Sequence, residues 1–359
     1  MSSVIIAGDT SGTVTLQAPS AAGSTVLTLP SGSGTVLTTN TSSITPEANG
    51  GTGTTTGYYG FKNRIINGAM FISQRGTSFS GTSSIYTLDR WKWQIPTGGG
   101  VTQITSTISG FAYSWKYIST GSNSYMQMGQ QIEYSNFYDC AGQTVTISFW
   151  AKANNTNSGS TALIGRMRYL TSVDGACIFA GINTDTSITI STTATKYTFT
   201  YSVPSNAQSL SCEFVLGSNV SGDGFEITGV QLEKGSTATS FDYRPYGTEL
   251  ALCQRYGLKV EQQQNTGDVV STGGNVNTKF TFPVTMRATP TASLITAGSW
   301  IVGNGYSANY TSSSAAISGQ ALTPSGGRVN VNGFTFASNF FASGTDAAGT
   351  AVMFMSAEL

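Results

Sequence analysis

The chain contains no histidine at all. That absence excludes Ser-His-Asp and Cys-His arrangements, His-ligated zinc and the usual general base near neutral pH. An enzyme of this composition is left with carboxylate chemistry of the glycosidase kind. Charge is scarce as well, with 17 Lys plus Arg and 17 Asp plus Glu in 359 residues. No basic field exists to hold phosphates or an anionic surface, so the expectation is no nucleic acid partner. Apolar runs near the roughly 20 residues that span a bilayer are missing, and the opening MSSVIIAGDTSG has no basic segment ahead of an apolar one. Membrane insertion is therefore not expected, and synthesis in a cytoplasm is. The four cysteines (Cys140, Cys177, Cys212, Cys253) form no CxxC pair. Buried free thiols are expected, with disulfides or metal ligation as the alternatives.

What the sequence does have is 43 glycines, abundant Ser and Thr, and no long helix-forming runs. Such a composition favours many short strands and turns, so the fold class expected is all-β. The length suggests two or three domains. Residues 1–56 hold three thin apolar clusters, VTL at 14–16, VLTL at 26–29 and TVL at 35–37. A segment this thin cannot bury enough surface to order itself alone, so copies of the chain are expected to complete one another's core. The run PEANGGTGTTTG (46–57) reads as a Gly/Thr linker.

Residues 57–247 alternate with period two. In TVTISFWAKA, Val145, Ile147, Phe149 and Ala151 share one face, and in KYTFTYSVP, Tyr197, Phe199, Tyr201 and Val203 do. The segment DGFEITGVQLEKG changes parity, with Phe225 and Ile227 odd but Val230 and Leu232 even. An extra residue near Thr228-Gly229 restores a common face, which predicts a β-bulge. A β-sandwich or jelly roll follows from this pattern. TELALCQRYGL (248–258) is the best helix candidate: Thr248 caps it, Gly257 ends it, and Leu250, Cys253 and Leu258 line one face. Beyond it, patches such as KFTFPVTM and AVMFMSAEL read as a second, smaller β domain within 248–359.

One stretch gathers charge that the rest of the chain avoids. Glu226, Glu233, Lys234, Asp242, Arg244, Glu249, Arg255 and Lys259 all fall within GVQLEKGSTATSFDYRPYGTELALCQRY or close beside it. That motif, together with NRIINGAMFISQRGTSF and YTLDRWKW at the start of the same region, resembles the two ends of a jelly-roll domain found in bacteriophage tail fibres and similar to carbohydrate-binding modules. The NGGTG at 49–53, the leader GTVTLQAP and the final SAEL are also common in such fibres. The resemblance implies a homotrimer with an intertwined N-terminal β segment (1–56) that attaches to a tail or baseplate protein. It further implies a central jelly roll (57–247) and a distal receptor-binding β domain (248–359), the whole lying on the virion tail and adsorbing to a host surface glycan. It suggests that the crowded charges pin the junction after the last strand by charge-assisted hydrogen bonds, with a solvated loop as the alternative.

Sugar recognition combines aromatic platforms with polar side chains. Trp300, Tyr306 and Tyr310, set among small residues in GSWIVGNGYSANYTSSS, are expected on loops and are the first glycan candidates, with packing inside the domain or across a trimer axis as the alternative. Trp91 and Trp93 on one face of DRWKW, with Arg166 and Arg168 of LIGRMRYL, are the second; core packing of the tryptophans is the alternative. Related modules often place an acid near a structural calcium in the last strand, where this chain has Thr228-Gly229. Asp223, Glu226 and Glu233 are the oxygen ligands left for calcium, and no other cofactor is expected. Asp174, Asp185, Asp223 and Glu226 show no spacing that singles out a catalytic pair, so binding rather than catalysis is expected. The rival readings are a purely structural head or neck fibre and a polysaccharide depolymerase.

Overall fold

The computed structural model describes residues 3–7, 13–17, 61–82, 84–155, 162–260, 269–272, 275–296, 300–303, 309–312, 316–333, 341–342, 344–345 and 352–359. The chain divides into two units, Met1–Tyr58 and Tyr59–Leu359. In the first, β1 (Ser3–Ala7) and β2 (Thr13–Gln17) pair as an antiparallel hairpin with Ile5 opposite Thr15. The VTL cluster lies on β2. The clusters at 26–29 and 35–37 and the linker at 46–57 lie outside the described residues.

The second unit opens with a β-sandwich. Its strands are β3 (Ser78–Gly81), β4 (Ile85–Tyr86), β5 (Lys92–Gln94), β6 (Gly99–Thr105), β7 (Tyr113–Ser119) and β8 (Met126–Ile132). They continue with β9 (Thr144–Asn155), β10 (Ala162–Leu170), β11 (Ile182–Thr189), β12 (Thr195–Ser202), β13 (Ser209–Leu216) and β14 (Asp223–Lys234). Two six-stranded antiparallel sheets result, ordered β11-β10-β13-β8-β5-β4 and β12-β9-β14-β7-β6-β3. The alternating residues do what their period dictates. Val145, Ile147, Phe149 and Ala151 of β9 are fully buried in the core between the sheets, and Phe199, Tyr201 and Val203 join them.

The parity change in β14 is a bulge: its register against β9 shifts between Thr228 and Gln231, and Gly229 has φ +62°. The bulge turns backbone groups at Val230 away from the ladder. Val230 N–H donates to Gly68 O at 2.9 Å, and Val230 O accepts from Asn63 Nδ2 at 3.0 Å. The opening motif NRIINGAMF docks on the last strand in this way. Gly68 is required there, since a Cβ on it would sit 2.1 Å from Val230 O.

Helix α1 (Tyr246–Gln254) is the one α-helix among the described residues, and it corrects the sequence reading in detail. Pro245 occupies the N-cap position and Thr248 lies inside the helix. Proline there costs no hydrogen bond, and its fixed φ suits the entering chain. Gly257 does not end the helix but starts β15 (Gly257–Val260), so Leu258 belongs to a different core from Cys253. All four cysteines are free and buried.

The remaining strands are β16 (Val269–Thr272), β17 (Asn275–Thr281), β18 (Thr291–Thr296), β19 (Trp300–Gly303), β20 (Asn309–Ser312), β21 (Ala316–Thr323), β22 (Gly326–Asn332), β23 (Phe341–Ala342), β24 (Gly344–Thr345) and β25 (Val352–Ser356). They form sheets β15-β25-β18, β21-β22-β17-β16-β23 and β20-β19-β24. A second core collects Leu258, Val276, Phe280, Met286, Val329, Val331, Met353 and Met355. A small third core joins Ile66 and Ile72 of the opening motif to Cys253 and Tyr256. The region after residue 247 thus shares one unit with the sandwich.

Candidate functional site

The crowded charges of residues 226–259 work as a clasp. Asp242 Oδ2 accepts from Asn63 N–H at 3.2 Å. Arg244 donates to Asn63 O and to Ile65 O (3.1 Å), and also pairs with Glu249 at 3.2 Å. Glu249 in turn accepts from Asn67 N–H. Three charged residues after the last strand therefore hold the first residues of the sandwich, and Arg244 is buried to 3 % side-chain exposure while doing so. A few residues on, Arg255 pairs with Glu133 at 2.7 Å and the Tyr256 hydroxyl donates to the same carboxylate at 2.6 Å. Burial pushes the Glu133 carboxyl up, but the hydrogen bonds from Arg255 and Tyr256 outweigh it and hold Glu133 below the usual glutamate range.

Beside this clasp lies a cleft of about 280 Å³. Aromatic rings from four places in the chain line it: Phe71 from the opening motif, Phe111 from the β6–β7 connection, Phe241 and Tyr243 after β14, and Tyr246 at the start of α1. The rings brace one another edge to face, Phe71 against Tyr246 at 5.5 Å and Phe241 against Tyr243 at 4.8 Å. Phe111 packs on both Phe241 and Tyr243, and it lies over Gly229, where a Cβ would meet the ring at 2.4 Å. The bulge glycine thus leaves room for the Phe111 ring that lines the cleft. The Tyr243 hydroxyl donates to Gly110 O, and partial burial raises its pKa above the ordinary tyrosine value. Tyr243 and Tyr246 nevertheless stay 59 % and 57 % exposed. Rigid, exposed rings beside carboxylates suit a ligand with one apolar face and a hydroxylated edge.

The residues singled out from sequence lie elsewhere. Trp91 and Trp93 are fully buried in the sandwich core, so the core packing weighed against a ligand face holds and they are not glycan platforms. Trp93 is on β5 and Trp91 precedes it, donating from its indole to Asn67 O at 3.0 Å. Large rings at strand positions facing the opposite sheet gain most from burial, and that decides their side. Arg166 is paired with Asp185 in a bidentate contact of 2.6 and 2.7 Å, while Arg168 is paired with the fully buried Glu213 at 2.9 Å. Trp300 and Tyr310 are on strands β19 and β20, opposite Ser312 and Val302, rather than on loops. Tyr306 lies outside the described residues.

Asp223, Glu226 and Glu233 lie along β14, each with its own partners. Asp223 accepts from Val220 N–H, Glu226 from Thr107, and Glu233 from Thr239 and Gln231. The described residues contain no group of three or more acidic or thiol side chains placed to share a metal ion. None of the five cleft aromatics stands out in the sequence as a ligand group. The signal available was FDYRPY, where three aromatics fall around a proline in a stretch without strand alternation.

Sandwich and cleft together define a β-sandwich protein with an aromatic-walled groove at the joint between its first and last segments. No known protein family and no curated protein matches the chain. Among solved structures it is similar to the enzymatically active domain of bacteriophage CBA120 tailspike protein 4, with 19 % identity over 48 % of this chain and 22 % of that one, TM-score 0.34. The chain thus corresponds to less than a quarter of that domain's length. It is also similar to a xylan-binding domain from Paenibacillus barcinonensis, with 13 % identity over 45 % of this chain and 94 % of that one, TM-score 0.29. A family 61 carbohydrate-binding module in complex with β-1,4-galactotriose matches at 9 % identity over 48 % of this chain and 99 % of that one, TM-score 0.30.

Proposed function

We propose that this chain is a phage tail-fibre protein that binds a host-surface glycan through the aromatic cleft beside its clasp. The observation that carries the reading is the pairing of braced, solvent-exposed Tyr243 and Tyr246 with the carboxylates of Asp242 and Glu249 in one groove. The motif resemblance of the opening and closing segments supplies the fibre context. In that context the protein is a homotrimer, residues 1–56 attach it to the tail or baseplate, and three identical clefts raise a weak sugar affinity through avidity. Its work is binding, and no bond is broken.

The test is binding of the full-length protein to a panel of immobilised bacterial lipopolysaccharides and capsular polysaccharides. Wild type is expected to bind at least one, and Tyr246→Ala to lose about tenfold or more in affinity because an exposed aromatic anchor is removed. Loss on Trp300→Ala with Tyr246→Ala unaffected moves the site to the C-terminal strands. Release of reducing ends from any bound polysaccharide favours the depolymerase reading.

A further inference from the structure

Surface glycans divide by charge into neutral sugars and acidic ones. A site for an acidic sugar needs an uncommitted cation, because a carboxylate brought out of water without one is strongly disfavoured. Among the described residues lining the cleft, Arg244 is the one cation. Its terminal nitrogens are committed to Asn63 O, Ile65 O and Glu249, and its guanidinium lies over the Phe61 ring at 5.3 Å. The first turn of α1 also faces the cleft, but Glu249 in that turn already balances its partial positive charge.

The Arg244 Nε has no partner but is buried, out of a ligand's reach, so what stays free at the surface of the described lining is negative or neutral. Asp242 gives Oδ2 to Asn63 N–H, while its Oδ1 has no partner among the described residues. The Tyr246 hydroxyl likewise has none. The lining therefore carries two carboxylates against one neutralised guanidinium, with an acceptor and a hydroxyl ready at the rim. A volume of about 280 Å³ is just below the usual range of small-molecule pockets, about 300–1,000 Å³, and suits one ring rather than a length of chain.

We infer that the cleft takes a single uncharged pyranose unit, stacked on its tyrosines with a hydroxyl donated to Asp242, and turns acidic sugars away; this rests on the glycan-binding reading above. The decisive probes are galactose and galacturonic acid, which differ only in the group at C6, together with N-acetylglucosamine and its C6 uronic acid as a second neutral and acidic pair. Binding to the full chain is measured by saturation-transfer NMR and titration at low and high salt. At least one neutral sugar is expected to bind, its acidic counterpart about tenfold more weakly, with the gap narrowing in salt and in Asp242→Asn. Tyr246→Phe, at an exposed position that leaves the clasp intact, is expected to weaken the neutral sugar about threefold to tenfold. Equal or tighter binding of the acidic sugar overturns the charge selection and leaves the glycan reading standing. Binding of no probe overturns both.

Discussion

Gly68 and Arg244 show how single residues decide this protein. Gly68 has no room for a side chain because the backbone carbonyl of Val230 fills the space, so Gly68→Ala is expected to destabilise the fold by about 3 kcal/mol or more, measured by urea unfolding. An unchanged midpoint would show that the opening motif shifts on β14 without cost. Arg244 draws its weight from four oxygen partners, two of them main-chain carbonyls supplied by chain some 180 positions earlier. Its charge was legible as part of a crowded stretch; its partners were not, since Asn63 and Ile65 offer backbone carbonyls that every residue has. Trp91 and Trp93 show the converse, where the residue type suggested a sugar platform and packing claimed both rings.

Among the elements, the bulge in β14 was legible because a period-two pattern can change parity and keep one buried face only by inserting a residue. The helix was legible in place but not at its ends, where Pro245 rather than Thr248 starts it and β15 claims Gly257. The residues just after α1 are tied to the sandwich through Glu133, and that link predicts a pH dependence. The folded carboxyl is held below its ordinary 4.5, so its contribution is complete above that pH and is lost as pH falls through the folded value. Stability is expected to fall on acidification below about pH 4.5, and Glu133→Gln to flatten that part of the curve. Equal slopes for the two proteins in denaturant titrations across that range would remove Glu133 from the account.

Across the molecule as a whole, the end of the chain is built into the start of the sandwich. Glu358 pairs with Arg90 and, at 3.0 Å, with Arg75, and the Tyr86 hydroxyl donates to the Leu359 main-chain oxygen at 2.6 Å. Arg75 also lies 4.1 Å over the Phe354 ring. These contacts tie the second core to the sandwich, so the two are expected to unfold together. Glu358→Ala leaves Arg90, 1 % exposed, without its carboxylate. The cost is expected to be about 3–5 kcal/mol. Calorimetry should then show the single transition split, with the C-terminal strands melting first. A single unshifted transition would mean that the two cores do not depend on this pair.

Composition and local periodicity were enough for the all-β class, the strand faces of the sandwich, the bulge and the place where charge collects, because each is written in neighbouring residues. Of the cleft, the order of residues shows only the three rings of FDYRPY, and the groove itself exists through the folded arrangement alone. Phe71, Phe111, Phe241, Tyr243 and Tyr246 become neighbours because β14 lies between β9 and β7 while the opening motif docks on its bulge. Contacts between residues so far apart in the chain depend on which strands pair, and strand pairing leaves no local mark on the residues it brings together.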